Sequence, residues 1–248
     1  MKKKILFSLL SGILVLGLAT GCGGNNADSG NNLSGDNNVS EKDDTSKYDV
    51  EIKTDEGIKA NAYLSQDKES FIIYVQNEND YDIGSFDVLI TYYDEQGNEI
   101  DDDFDNPMDL KSGYDYVTAL DLPKDDDYNS YIPAKTVVEV VVDKEYQEIV
   151  DLEPMYNDKI EMNYKKNGEE IDITLTNKAD VDVQVEVAVL FMKNNKPIAI
   201  TGLDGSFGAG ETDTTSVEIP IDWEKSDDED VLISYDSIKL VVNRAIAD

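Results

Sequence analysis

The sequence predicts an all-β protein built as two tandem antiparallel β-sandwich domains. Three observations predict it. Apolar and polar residues alternate at period two through most of the chain after residue 48, and Val, Ile, Thr and Tyr are abundant there, which is the pattern of half-buried strands. Turn residues punctuate these runs at short intervals, as at Glu95-Gln96-Gly97-Asn98 and Lys193-Asn194-Asn195-Lys196. The same series of segments also occurs twice, at a spacing close to 100 residues. Patterns of helical period are scarce, with one short turn expected at Ile221-Asp222-Trp223-Glu224-Lys225.

The chain opens differently. Lys2, Lys3 and Lys4 precede an apolar run from Ile5 to Leu18, and small residues lead to Cys22, the only cysteine. The run is shorter than the ~20 apolar residues a bilayer span requires, and Gly, Asn, Asp and Ser follow it rather than a basic stop-transfer flank. Residues 1–21 therefore read as a secretory signal. Ala19-Thr20-Gly21-Cys22 resembles the lipobox of bacterial lipoproteins. That resemblance implies a diacylglyceryl thioether on Cys22 and cleavage before it. Two acyl chains anchor a protein to a membrane stably, at about 0.8 kcal/mol for each buried CH₂.

Residues 22–47 follow as a tether. They are rich in Gly, Asn, Asp and Ser, with only Leu33 and Val39 as isolated large apolar residues. Such a segment cannot bury enough surface to offset chain entropy, so disorder is expected. As a flexible coil it reaches roughly 25–30 Å. The composition of this leader points to the extracytoplasmic face of a Gram-positive cell membrane.

The first sandwich is expected over 48–147 and the second over 158–248, with a linker at 148–157. Phe71–Asn79 matches Ile171–Ala179 at an offset of 100, which places Asn77 over Asn177. Phe86, Val88, Ile90 and Tyr92 match Val185, Val187, Val189 and Phe191 at an offset of 99, so one extra residue is expected near Gly84. Alternation turns Tyr92 inward, and Val181–Phe191 should cross the centre of a sheet. Leu110–Gly113 corresponds to Phe207–Gly210, and Leu120–Pro123 to Val217–Pro220, both at 97. Val138–Lys144 overlies Ile238–Arg244, back at 100. In the stretch between the units, Ile149, Val150, Leu152 and Met155 are expected to pack between the domains.

Six or seven strands in about 90–100 residues fit an immunoglobulin-like sandwich, here without its disulfide. Val88–Ile100 followed by Leu110–Pro123 resembles the FxLYD-type and related immunoglobulin-like domains found in tandem on bacterial surface lipoproteins. The shared features are an apolar strand ending in an aromatic residue and Asp94, a Gly turn, and a Leu-x-x-Gly turn. The second unit departs from this at Lys193, where Asp94 would stand. The resemblance implies a binding, adhesion or spacer role.

Charge and composition narrow the chemistry. The formal charge is −33, and removal of residues 1–21 takes away Lys2, Lys3 and Lys4 and no acidic residue, which moves it to −36. Such a surface repels nucleic acid and anionic headgroups and stays soluble and monomeric. Histidine is absent, which removes the most usual general base and transition-metal ligand. With Cys22 committed to lipid, no thiol is left for nucleophilic catalysis or zinc. We expect no enzyme and no cofactor beyond the lipid. The partners expected are the membrane, through the anchor, and an envelope protein or glycan.

The polar constellations are acidic. Asp125-Asp126-Asp127 follows Pro123, and Asp227, Asp228 and Asp230 fall in the corresponding place after Pro220. Carboxylates are the hard ligands calcium takes, and their recurrence makes these six residues the candidate calcium ligands. The EF-hand spacing fails: from Asp101 its sixth and twelfth positions are Asn106 and Ser112, and from Asp125 they are Ser130 and Thr136. Solvated loops that resist aggregation are the simpler reading. A hydrolase using two carboxylates is a third reading, for which the sequence offers no cleft. Tyrosines crowd the first unit, and Tyr128 and Tyr131 beside the aspartates are the candidate binding surface.

Overall fold

The computed structural model describes residues 48–144, 154–222 and 231–248, together with the backbone of Ile13–Leu14. The cleavage site, Cys22, the tether and Asp227, Asp228 and Asp230 lie outside the described residues. The fold is all-β and forms two sandwiches. In the first, β3 (Ile58–Leu64), β4 (Ser70–Asn77) and β8 (Asp115–Asp121) form one sheet. Facing it are β2 (Asp49–Thr54), β9 (Lys135–Val142), β5 (Ile83–Tyr93) and β6 (Glu99–Asp105), in that order, with β7 (Met108–Leu110) also on β5. All pairs are antiparallel except β2 with β9. In the second sandwich, β10 (Ile160–Asn167), β11 (Glu170–Asn177) and β14 (Thr212–Glu218) face β15 (Ser237–Ala247), β12 (Val183–Lys193) and β13 (Lys196–Phe207). The pair Ile13–Leu14, β1, lies antiparallel along β15 at Val242 and Val241.

Alternation places the cores as expected. Phe71, Ile73 and Val75 of β4 meet Val88, Ile90 and Tyr92 of β5, and Ile171, Ile173 and Leu175 meet the odd positions of β12. Tyr92 is buried, and its hydroxyl donates to the Asp121 carbonyl at 2.7 Å. The extra residue near Gly84 is visible as a change of face. Ile83 and Phe86 are both buried in the core of the first domain, three residues apart, whereas Val183 and Val185 alternate regularly at two. At the β12–β13 hairpin, Asn194 (φ 50°) and Asn195 (φ 62°) are both left-handed, as a two-residue primed turn requires.

The repeat extends to side-chain hydrogen bonds. Asn77 and Asn177 are both fully buried at the end of their strands. Asn77 Nδ2 donates to the carbonyls of Tyr81 (3.0 Å) and Leu110 (3.1 Å), and Oδ1 accepts from Asn79 N (3.0 Å). Asn177 makes the same three bonds to Val181, Phe207 and Ala179, at 2.8, 3.1 and 2.8 Å. Asp82 and Asp182 in turn accept from Ser112 N and Ala209 N, each at 2.9 Å. One amide thus ties three segments together at the same corner of each domain.

One expectation is corrected. Ile90 pairs with Val138, and Val189 pairs with Leu240, so the structural counterpart of Val138 is Leu240, two residues beyond the sequence match to Ile238. The reason is that the two last strands meet their neighbours in a different register; beyond Val242 a bulge shifts β15 by one further residue. Met155 is buried in the second core, bridges Ile246, and its carbonyl accepts from Lys111 Nζ of the first domain at 3.0 Å. Ile149, Val150 and Leu152 lie outside the described residues.

The domains pack sheet against sheet. Ile72 and Val117, on the outer face of the β3–β4–β8 sheet, meet Ala188, Leu190 and Val241 on the outer face of the β15–β12–β13 sheet, with Tyr74, Met192 and Ile200 around them. All five central side chains are buried; fully burying a residue of Val or Leu size contributes about 1.5–3 kcal/mol. Asn243 completes the contact. It is the extra residue of the β15 bulge, where the register steps from Arg244 opposite Glu186 to Val242 opposite Val187, and bulges re-aim side chains. Its Nδ2 donates to the Val117 carbonyl at 2.8 Å, and its Oδ1 accepts from Val117 N at 3.2 Å. Val117 lies on an edge strand, so a side-chain amide satisfies backbone groups that would otherwise be open.

Candidate functional site

The Tyr128 loop begins where β8 ends. Leu122 and Pro123 are buried, and the chain then leaves the sandwich as a hairpin closed by the Lys124–Ser130 bridge. Asp125 organises its tip. Its Oδ1 accepts from Asp127 N and Asn129 N, each at 2.9 Å, and Asn129 Nδ2 approaches both of its oxygens at 3.4 Å. The bonds from Asn129 hold the Asp125 carboxyl below the usual carboxylate range. Ser130 Oγ donates to Glu69 at 2.7 Å, which fastens the hairpin to the sandwich. Tyr128 stands at the tip with φ 64° and 85% of its surface exposed, and Tyr131 is 39% exposed. The structure therefore brings both predicted tyrosines to one solvent-facing loop. Because Asp49 pairs with Lys135 at the start of β9, this loop sits at the end of the domain where the chain enters from the tether.

The acidic residues of the same loop do not converge as ligands. Asp125 turns back onto its own backbone, while Asp126 and Asp127 are exposed. Among the described residues no three acidic side chains gather closely enough to hold a metal ion. Asp101, Asp102 and Asp103 lie along β6, an edge strand, where charge protects the open edge.

The structure adds a cluster that composition alone did not show. At the domain junction Asp115 is buried, and its Oδ2 lies 3.7 Å from Lys239 Nζ. Lys239 Nζ also donates to the Tyr74 hydroxyl and sits 4.4 Å from that ring's centroid. Burial pushes the Asp115 carboxyl up and the Lys239 ammonium down, and each partner opposes the other's shift. Nearby, Arg244 lies 3.5 Å from buried Asp109, and Gln66 Nε2 donates to Asp222 at 2.8 Å. All of these bonds run from one domain to the other. The signal that could have found the junction is apolarity at even positions of β12, namely Ala188, Leu190 and Met192, within a strand whose odd positions already fill the core.

A groove of about 240 Å³ is lined by Tyr48, Val50, Ile52, Tyr63, Leu64 and Phe71, from β2, β3, β4 and the residue preceding β2. Among the described residues no helix is long and apolar enough to cross a membrane.

No family model matches the chain, and no curated protein matches it. Solved structures share the β architecture at low similarity. A red sea bream transglutaminase is 12% identical over 77% of this chain, with a TM-score of 0.21, and the chain spans 29% of that protein's length. The CsuC–CsuE chaperone–tip adhesion subunit complex from the Csu pili of Acinetobacter baumannii is 11% identical over 79% of this chain and 94% of that one, with a TM-score of 0.17. These likenesses carry no argument about function.

Proposed function

We propose that this chain is an extracytoplasmic lipoprotein, anchored through Cys22 to a bacterial membrane, that presents a rigid two-domain β unit in a binding or spacer role without catalysis. The observation that carries the reading is the order of its parts. A basic start, a short apolar run and Ala19-Thr20-Gly21-Cys22 are followed by a polar tether and then by folded domains. The sheet-to-sheet junction supports presentation, because apolar and polar contacts fix the two domains against each other as one unit. Cys22→Ser tests the anchor. The substituted chain should leave the membrane fraction and should not incorporate radiolabelled palmitate. Retention of the Cys22→Ser chain in membranes would refute the anchor.

A further inference from the structure

Tyr128 occupies a position where the same turn, elsewhere in this chain, uses glycine. At 94–98 and at 125–129 the sequence reads Asp-x-x-y-Asn, where y is Gly97 or Tyr128. Four hydrogen bonds coincide. Asp94 Oδ1 accepts from Gln96 N (2.9 Å) and Asn98 N (2.8 Å), as Asp125 Oδ1 does from Asp127 N and Asn129 N, each at 2.9 Å. Asp94 N donates to Asn98 O (2.9 Å) and Asp125 N to Asn129 O (3.0 Å). Gly97 N donates to Asp94 O (3.1 Å) and Tyr128 N to Asp125 O (2.9 Å). The fourth residue is left-handed in both, at φ 79° for Gly97 and 64° for Tyr128. A left-handed backbone is free for glycine and unfavourable for a bulky side chain. Tyr128 does not offset that by packing, since 85% of it is exposed. The fold therefore has no use for an aromatic ring there, and a strained, exposed residue of this kind points outward to function.

We propose that the Tyr128 loop is a contact site for a basic polypeptide segment, its Lys or Arg side chains meeting the rings of Tyr128 and Tyr131 and the carboxylates of Asp126 and Asp127. This rests on the binding role proposed above and names its partner class. Asp126 and Asp127 are exposed and immediately precede Tyr128 in the chain, and cations are drawn to aromatic faces and to carboxylates alike. Asp125, Asn129 and the Ser130–Glu69 bond pre-form the tip, so binding orders little. The loop faces the tether side of the domain, which suits a partner standing at the same membrane.

The test uses the full chain in detergent, titrated at about 0.15 M salt, where diffuse surface attraction is largely screened. The probes are a ten-residue Lys-Gly repeat peptide, its Arg-Gly counterpart, a neutral Ser-Gly control and a chito-oligosaccharide. Tyr128→Gly should weaken binding of the basic peptides at least tenfold and leave the melting temperature no lower. Asp126→Asn with Asp127→Asn should weaken it several-fold. Basic-peptide binding unchanged in Tyr128→Gly would show attraction by net charge alone and overturn the proposal. So would a lowered melting temperature, which would make Tyr128 a structural residue, or Tyr128-dependent binding of the oligosaccharide instead of the peptides. None of these outcomes depends on the lipid, so anchoring through Cys22 stands or falls separately.

Discussion

Removing the Asn243 side chain tests whether the two sandwiches form one body. Asn243→Ala deletes a donor to the Val117 carbonyl at 2.8 Å and an acceptor from Val117 N at 3.2 Å. Both Asn243 and Val117 are buried, so water does not readily replace the lost partners. A buried polar group left unsatisfied costs about 1–3 kcal/mol, and two such groups give about 2–6 kcal/mol. For a chain of this size each kcal/mol moves the melting temperature by about 2–4 °C, so the loss should be easily resolved. Hydrogen exchange followed by mass spectrometry gives the local readout. The Val117 amide should lose protection before the rest of β4 and β8. Asn243→Asp should be at least as damaging, because a carboxylate cannot donate to the Val117 carbonyl. A substituted chain that melts within a degree of the native protein, with Val117 still protected, would refute the claim that this amide bridges the domains.

The duplicated corner makes a paired prediction. Asn77→Ala removes three hydrogen bonds to backbone and Asn177→Ala four, and each should cost about 3–5 kcal/mol, read as similar shifts in denaturant midpoint. Lys239→Met strands the buried Asp115 carboxylate and should cost about 2–3 kcal/mol, at the low end for a broken buried pair because Lys239 is partly exposed. Adding Asp115→Leu should restore most of that in a double-mutant cycle. Burial already raises the Asp115 carboxyl, so its proton-bound form is favoured in the fold. The penalty of Lys239→Met should therefore shrink as pH falls and grow as pH rises through that raised value. Asp125 has the opposite sign. Its carboxyl is depressed, so the order it gives the loop is present above about pH 4 and lost as pH falls further. The amide resonances of Asp127 and Asn129 should move together in that window.

Much of the fold was legible in residue pattern, because a half-buried strand must alternate. The odd positions of Val183–Phe191 are buried as expected, and the turn at Asn194-Asn195 follows from side-chain chemistry that tolerates a left-handed backbone. The junction was harder to read because its signal is a departure from alternation. Ile72 beside Phe71 and Ile73, and Ala188 and Leu190 among valines, read locally as strongly apolar strands. Only the sheet pairing shows that they face a second domain. The Asn243 bulge was hidden for a related reason: an extra residue changes register without changing composition. In the candidate site, exposed Tyr128 was legible from its polar surroundings. Its likeness to Gly97 was not, since that depends on backbone conformation.

Equivalent faces of the two repeats have diverged in chemistry. Tyr74 pairs with Val117 across the first domain's sheet as Thr174 pairs with Thr214 across the second, and Ile72 occupies the place of Asp172. The first face is apolar and covered. The second is a polar array in which Thr174 meets Thr214 and Thr176 meets Thr212, each at 2.9 Å, and Ser216 donates to Asp172 at 2.8 Å. On the opposite sheets, Ala188 and Val241 correspond to Leu89 and Glu139. In the first domain that face carries the Lys53–Glu139 and Lys135–Glu51 ion pairs, at 2.5 Å each, instead of a neighbour. A third repeat docked by the same geometry would set the hydroxyl array or the ion pairs against an apolar sheet, with buried polar groups left unpaired. One matched pair of apolar faces therefore holds the two domains together, and the corresponding faces on their other sheets carry polar groups suited to water.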